Sequence, residues 1–551
     1  MEKQTLLRVE GLSIAFGALP VVEEVSLALD KGQTLALVGE SGSGKTLTGR
    51  ALMGLLPKGA RITGGNARFA TAERDAVDLC RSDERTLRPL RGGRIGMIFQ
   101  EPMSAFSPLH TIGAQVAEAV ALHGGLSGDA LREHCLKVFA QVGFPDPARA
   151  WRAYPFELSG GLRQRAMIAM AIACGPDLVI ADEPTTALDV TTQAVVLDLL
   201  ERLQRETGMA MILITHDLGV VVNLADRVVV LRKGRVMERG PAEAVLGTPG
   251  HAYTKALIAA APALATAHDP RHLRVDDPIL WADRLSKTYA SPRGGGAPVH
   301  AVRDVRLAVG RGETLAVVGE SGSGKSTVAR LLLRAEAADE GAEIGFRGAD
   351  GQAIDLAALD GAALKAFRRR VQMVFQDPFA ALSPRMTVLD TLTEPLRIHG
   401  IGTPSQRRDR AAELMADVGL PAEHLGRYPH AFSGGQRQRI AIARALALGP
   451  EMVICDAPPS ALDVSVHAQV LDLLRRLRAE HNLSYLFISH DLHVVAGLAD
   501  RVAVMRAGTI VEQGPARTVL RNPKPPYTQA LIAAAHVPAL APRLDLAAGT
   551  R

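Results

Sequence analysis

The sequence predicts an α/β fold built twice in one chain, and three observations carry that prediction. Long blocks recur in the same order about 275 residues apart. Each copy runs from an apolar segment through a glycine loop into a helix-like segment, the order of a parallel α/β unit. The chain has 551 residues, more than one ordinary core holds, and close to two domains of common size. Hydrophobic residues form 47% and charged residues 22%, a balance that excludes disorder, collagen-like repeats and disulfide scaffolds.

The blocks define the repeat. GQTLALVGESGSGKT (32–46) returns as GETLAVVGESGSGKS (312–326), so Gly39 corresponds to Gly319 and Lys45 to Lys325. MIFQEP returns as MVFQDP, LSGGLRQR as FSGGQRQR, VIADEPTTALDV as VICDAPPSALDV, ILITHDL as LFISHDL, and AYTKALIAAA as PYTQALIAAA. Order and spacing hold throughout, which predicts two homologous domains at 1–263 and 279–537. The polar, Pro-containing stretch 264–278 reads as a short linker, and 538–551 as a weakly ordered tail. SPRGGGAPVH (291–300) has no counterpart in the first half and is expected to be an exposed turn between two strands.

The apolar runs TLALV and TLAVV are expected to be strands that lead into the glycine loops. DLVIADEP and MVICDAP read as buried strands ending in acidic residues, and MILITHD and YLFISHD as strands ending in His. Carboxyl ends of parallel strands are where such sheets bind ligands. The tail blocks Tyr253–Ala261 and Tyr527–Ala535 read as amphipathic packing helices, with a regulatory or partner-binding role as the other reading.

Both glycine loops fit G-x-x-x-x-G-K-[ST]. Gly39, Ser41, Gly42 and Gly44, like Gly319, Ser321, Gly322 and Gly324, let backbone N–H groups turn inward around phosphate oxygens. Lys45 and Lys325 are placed to neutralise the β and γ phosphates of a nucleotide, and Thr46 and Ser326 offer a hydroxyl to Mg²⁺. One such match could be a Gly-rich surface turn; two, each after a strand, leave that reading little room. Asp182 and Asp456 would orient Mg²⁺, and Glu183 stands where it could polarise a water for in-line attack on the γ-phosphate. A strand-end Asp-Glu pair also serves as an ordinary helix cap.

LSGGLRQR and FSGGQRQR resemble the signature motif of ATP-binding cassette (ABC) ATPases, and the resemblance spans both halves. It implies, in each half, a RecA-like α/β core with an antiparallel β subdomain and a helical subdomain carrying the signature. It further implies that Gln100 and Gln376 are Q-loop glutamines able to reach Mg²⁺, that Asp189 and Asp463 are D-loop aspartates, and that His216 and His490 are switch histidines. Phe16 and Tyr289 resemble the aromatic that stacks on adenine, Tyr289 being the better candidate. In this family two domains pair head to tail. Each ATP would then lie between one phosphate loop and the Ser-Gly-Gly of the other domain: Ser433, Gly434 and Gly435 facing the first loop, Ser159, Gly160 and Gly161 the second.

The halves differ where it matters for hydrolysis. The first reads Asp182-Glu183-Pro184-Thr185 and the second Asp456-Ala457-Pro458-Pro459, and Ala457 has no carboxylate. The signature facing that second site carries Leu162 where its counterpart has Gln436. One hydrolytic site and one slow, ATP-binding site are expected. Pro459 in place of Thr favours natural divergence over a designed substitution at 457.

No apolar stretch reaches the ~18 residues that cross a bilayer, and MEKQTLLRVE lacks the apolar core of a signal peptide, so a cytosolic chain is expected. A transport role therefore requires separate permeases. FQEPMSAFSPLHTI, FQDPFAALSPRMTV and PGHAYTKALIAAAP resemble the ATPases of dipeptide, oligopeptide and nickel importers, in the fused form that serves glutathione and microcin C-type peptides. The resemblance implies an ATPase on the cytoplasmic face of the membrane. Its partners would be two permease subunits and, indirectly, a periplasmic or extracellular solute-binding protein. The net charge of +5, from 63 basic and 58 acidic residues, supports no nucleic-acid partner. Cys80, Cys135, Cys174 and Cys455 are scattered, which argues for reduced thiols and against an iron–sulfur or zinc site. The rival reading is a ribosome-bound tandem cassette, but those resemble chains with a long charged helical linker, and this linker is short.

Overall fold

The structure is a computed structural model that describes residues 4–70, 76–185, 188–260, 277–290, 298–375, 377, 381–456 and 464–535. Gln376, Ala457, Pro459, Asp463, most of the predicted linker and the predicted tail lie outside the described residues. The chain divides into two compact units, one chiefly within Met1–Ala261 and the other within Pro262–His536.

In the first unit, strands β1 (Thr5–Phe16), β2 (Leu19–Asp30), β4 (Ala60–Phe69) and β5 (Val77–Asp78) form an antiparallel sheet in the order β2-β1-β4-β5. A second sheet runs β10-β9-β3-β8-β7-β6, from β3 (Thr34–Val38), β6 (Ile95–Ile98), β7 (Leu178–Asp182), β8 (Ala210–Thr215), β9 (Arg227–Arg232) and β10 (Arg235–Pro241). It is parallel except for the β9–β10 hairpin. The apolar runs make sense on a sheet covered on both faces. On β8, Ala210, Ile212 and Ile214 join the core toward the antiparallel sheet, while Met211 and Leu213 join the core of the helical lobe. On β3, Leu35 and Leu37 face the first of these and Ala36 and Val38 a third cluster with Val230, Tyr253 and Leu257.

The helical lobe holds Ile112–His123, Gly128–Gln141, Pro147–Arg152 and the signature helix Gly160–Ile172. Its core includes Val116, Phe139, Phe144 and Met167, with the two Phe rings edge to face at 5.4 Å. The tail helix Ala252–Ala260 packs by Tyr253 and Leu257 and is tied at its start by Glu238, which accepts from the N–H groups of Gly250 (2.7 Å) and His251 (3.1 Å).

The second unit repeats this plan. β11 (Pro278–Tyr289), β12 (Val299–Gly310), β14 (Glu343–Arg347) and β15 (Ala353–Asp355) form the antiparallel sheet. β13 (Thr314–Val318), β16 (Val371–Val374), β17 (Met452–Asp456), β18 (Ser484–Ser489), β19 (Arg501–Arg506) and β20 (Thr509–Pro515) run β16-β17-β18-β13-β19-β20 in the main sheet. The signature helix is Gly434–Leu446 and the tail helix Pro526–Ala535. β11 starts at Pro278, one residue before the expected Ile279, and residues 291–297 of the expected turn lie outside the described residues. The four cysteines are free thiols. No described helix is long and apolar enough to cross a membrane.

Candidate functional site

The carboxyl ends of β3, β7 and β8 bring the candidate residues of the first unit together, as adjacent parallel strands must. β3 ends into the glycine loop. At Gly39 (φ +150°) a Cβ would lie 2.1 Å from the Leu231 carbonyl oxygen, so no larger residue fits. Gly44 (φ +97°) caps the helix Lys45–Leu52 in the left-handed region, where glycine alone carries no side-chain penalty. The Lys45 ammonium, almost fully buried, donates to the carbonyls of Gly39 (2.6 Å) and Glu40 (2.9 Å), which stretches the side chain along the loop it serves. In the second unit Lys325 does the same toward Gly319 (2.8 Å) and Glu320 (2.6 Å), and burial pulls its pKa down to about 8.

Thr46 Oγ1 donates to Asp182 Oδ1 at 3.0 Å, and Ser326 Oγ to Asp456 Oδ1 at 3.2 Å. Asp182 is 1% exposed, and burial pushes its pKa up to about 6 against the opposing Thr46 hydrogen bond. Asp456 is raised by burial as well. A hydroxyl and a carboxylate side by side, both hard oxygen donors, suit Mg²⁺, which takes few protein ligands and keeps several waters. The donor set fits the ion. Among the described residues no group of three or more His, Cys, Asp or Glu is placed to hold a metal ion.

Beyond Asp182, Glu183 adopts a left-handed backbone (φ +49°) and its N–H donates to the Ile214 carbonyl at 2.8 Å. A non-glycine residue there is held against its intrinsic preference. Its carboxylate is gripped from both sides: Gln100 Nε2 donates to Oε2 at 2.8 Å, and His216 Nδ1 lies 3.1 Å from Oε1. Gln100 follows β6, Glu183 β7 and His216 β8, so three neighbouring strand ends converge on one carboxylate. The histidines are the first residues after their strands, not the last residues within them. His490 stands after β18 in the same place, but Gln376 and Ala457 lie outside the described residues.

Ser159 and Ser433 cap the signature helices that open with Gly160-Gly161 and Gly434-Gly435. Ser433 forms a reciprocal capping box, its hydroxyl accepting from Gln436 N–H (3.4 Å) while Gln436 Oε1 accepts from Ser433 N–H (3.0 Å). Leu162 cannot return that bond, and the Ser159 hydroxyl accepts from the Leu162 N–H (3.4 Å). Phe16 and Tyr289 end the first strand of their antiparallel sheets, both about one-third exposed. Tyr289 also hydrogen-bonds Glu336 and carries Lys287 over its ring at 5.5 Å. Sequence reasoning missed Glu336, and it missed what the tail tyrosines touch, although the tail blocks themselves were visible as repeats.

A family model described as ABC transporter matches residues 22–186 and 302–460, and one described as the C-terminal region of oligopeptide/dipeptide transporters matches 237–279 and 511–550. The second match includes the stretch expected to be linker. The chain is 45% identical to the glutathione import ATP-binding protein GsiA of Salmonella typhimurium, an alignment covering 98% of this chain and 90% of that protein. It is 47% identical to the peptidoglycan transport ATP-binding protein YejF of Agrobacterium fabrum, over 97% of this chain and 96% of that protein. The paired glycine loops and signature helices, the two family matches and this full-length similarity lead to one conclusion: the chain belongs to the ABC transporter family and is an ATPase with two nucleotide-binding cassettes in tandem.

Proposed function

We propose that this chain is the ATP-hydrolysing motor of an importer for glutathione or a similar small peptide, acting on the cytoplasmic face of the membrane through two separate permease subunits. A periplasmic or extracellular solute-binding protein would deliver the solute. The names of the relatives and the match to the oligopeptide/dipeptide C-terminal region support this class of solute. The cassettes, 1–263 and 279–537 joined by 264–278, pair head to tail. Ser433, Gly434 and Gly435 then close on the first phosphate loop, and Ser159, Gly160 and Gly161 on the second.

The observation that carries the catalytic reading is the Glu183 carboxylate held between Gln100 and His216. The loop amides of Gly39, Ser41, Gly42 and Gly44 and the Lys45 ammonium bind the β and γ phosphates. Thr46, Asp182 and Gln100 would hold Mg²⁺, which when bound neutralises charge building on the phosphate oxygens. A water in line with the γ-phosphorus gives its proton to Glu183 as its oxygen bonds to phosphorus. The bond from phosphorus to the β–γ bridging oxygen breaks, leaving ADP and phosphate. Gln100 and His216 keep the carboxylate aimed, so that no reorientation is needed at the moment of reaction. In the second site Gly319, Ser321, Gly322, Gly324, Lys325, Ser326, Gln376, Asp456 and His490 bind ATP, with Tyr289 on the adenine, but Ala457 accepts no proton and turnover there is slow.

The test is co-purification. Detergent extracts should yield this chain with two integral membrane subunits, and proteoliposomes holding the three proteins with the solute-binding protein should accumulate glutathione or a short peptide in an ATP-dependent way. Recovery on ribosomes, without membrane subunits, would overturn the importer reading.

A further inference from the structure

The residues that match the oligopeptide/dipeptide C-terminal region reach the phosphate loop. Tyr527, the second residue of the tail helix Pro526–Ala535, accepts a hydrogen bond at its hydroxyl from the Glu320 N–H at 3.2 Å. Glu320 follows Gly319, and its carbonyl is one of the two that Lys325 binds. The tyrosine is itself fixed. The Arg506 guanidinium lies over its ring at 4.8 Å, from the end of β19 beside β13, and Glu512 on β20 accepts from the Lys524 N–H at 3.1 Å just before the helix. Leu531 and Ile532 bury the rest of the helix in the core. The first unit repeats the ring contact. Arg232 lies over Tyr253 at 4.6 Å, and the buried Tyr253 hydroxyl stands beside Glu40, though it makes no hydrogen bond to it.

A glycine-rich loop gains phosphate affinity by holding its N–H groups inward before the ligand arrives. An amide tied from behind at the second position of the loop limits the rotation of the Gly319–Glu320 peptide, and so fixes the carbonyls that position the lysine. We propose that Tyr527 is a positioning residue for the second phosphate loop, through which the tail helix sets nucleotide affinity at that site. This rests on the reading that the loop binds nucleotide, and the experiment separates the two.

ADP is the probe, because it occupies the loop without turnover. Calorimetric titration of the full chain carrying Lys45→Ala reads the second loop alone. Adding Tyr527→Phe removes one oxygen and keeps the ring under Arg506. ADP binding should weaken ~3–10-fold, the effect of one modest hydrogen bond, with the thermal midpoint unchanged. Adding Leu531→Ala instead loosens the packing of the same helix but keeps the hydroxyl. It should lower the thermal midpoint and change ADP affinity less than Tyr527→Phe does. Unchanged affinity in Tyr527→Phe, or a loss no greater than that in Leu531→Ala, overturns the positioning role. Failure of the Lys45→Ala chain with Tyr527 intact to bind ADP would overturn the reading of the loop instead.

Discussion

Glu183 is the residue on which the two halves of the chain diverge, and its surroundings explain why a carboxylate there is more than a helix cap. Its backbone is held at φ +49° and both its oxygens are engaged by side chains from neighbouring strand ends. Removing His216 takes the imidazole contact from Oε1 and weakens the grip on the carboxylate. His216→Ala is therefore expected to lower kcat by about 10²-fold or more, with KM for ATP changed far less, as befits a group that acts in the transition state. Steady-state phosphate release measures both constants. Gly39 tests the loop in the same spirit. Its missing Cβ would meet the Leu231 carbonyl oxygen at 2.1 Å, so Gly39→Ala must displace backbone and is expected to abolish nucleotide binding at the first site. The titration is made in a chain carrying Lys325→Ala. These residues were legible in the sequence because each motif is contiguous and appears twice. The Tyr527–Glu320 bond was not: its partners are 207 residues apart, and no local pattern says which loop a tail tyrosine will meet.

Strands and helices were read from the sequence in the same uneven way. TLALV and MILITHD read as strands because each carries an apolar run, and β3 and β8 carry those apolar residues into three separate cores. Leu37, fully buried on β3, is expected to cost about 2–5 kcal/mol on replacement by alanine, read as a fall in the denaturant midpoint of the transition that includes the first unit. The signature helices show what residue comparison left incomplete. Leu162 against Gln436 was visible as a difference, but its consequence is a capping box present in one helix and half-made in the other. Gln436→Leu should cost about 0.5–1 kcal/mol of stability in the second unit, within the range for a lost cap interaction. Leu162→Gln should recover a similar amount in the first. Chemical denaturation of the pair of variants compares the two directly.

For the whole molecule, duplication supplies two phosphate loops and two signature helices, while the sequences differ at Glu183 and Ala457, the difference on which the proposed inequality of the two sites rests. The sequence periodicity foretold the paired α/β plan, and the resemblance to ABC ATPases implied its antiparallel and helical additions. What the repeat could not convey is how each half is tied together across long sequence separations, as in the convergence of β6, β7 and β8 on Glu183. In the proposed motor one site hydrolyses and the other holds nucleotide. The most direct test is the ATPase rate of the purified full-length chain, assembled with its permeases, carrying Glu183→Gln alone. The asymmetric account predicts loss of nearly all ATP hydrolysis with nucleotide still bound; retention of about half the rate would contradict it.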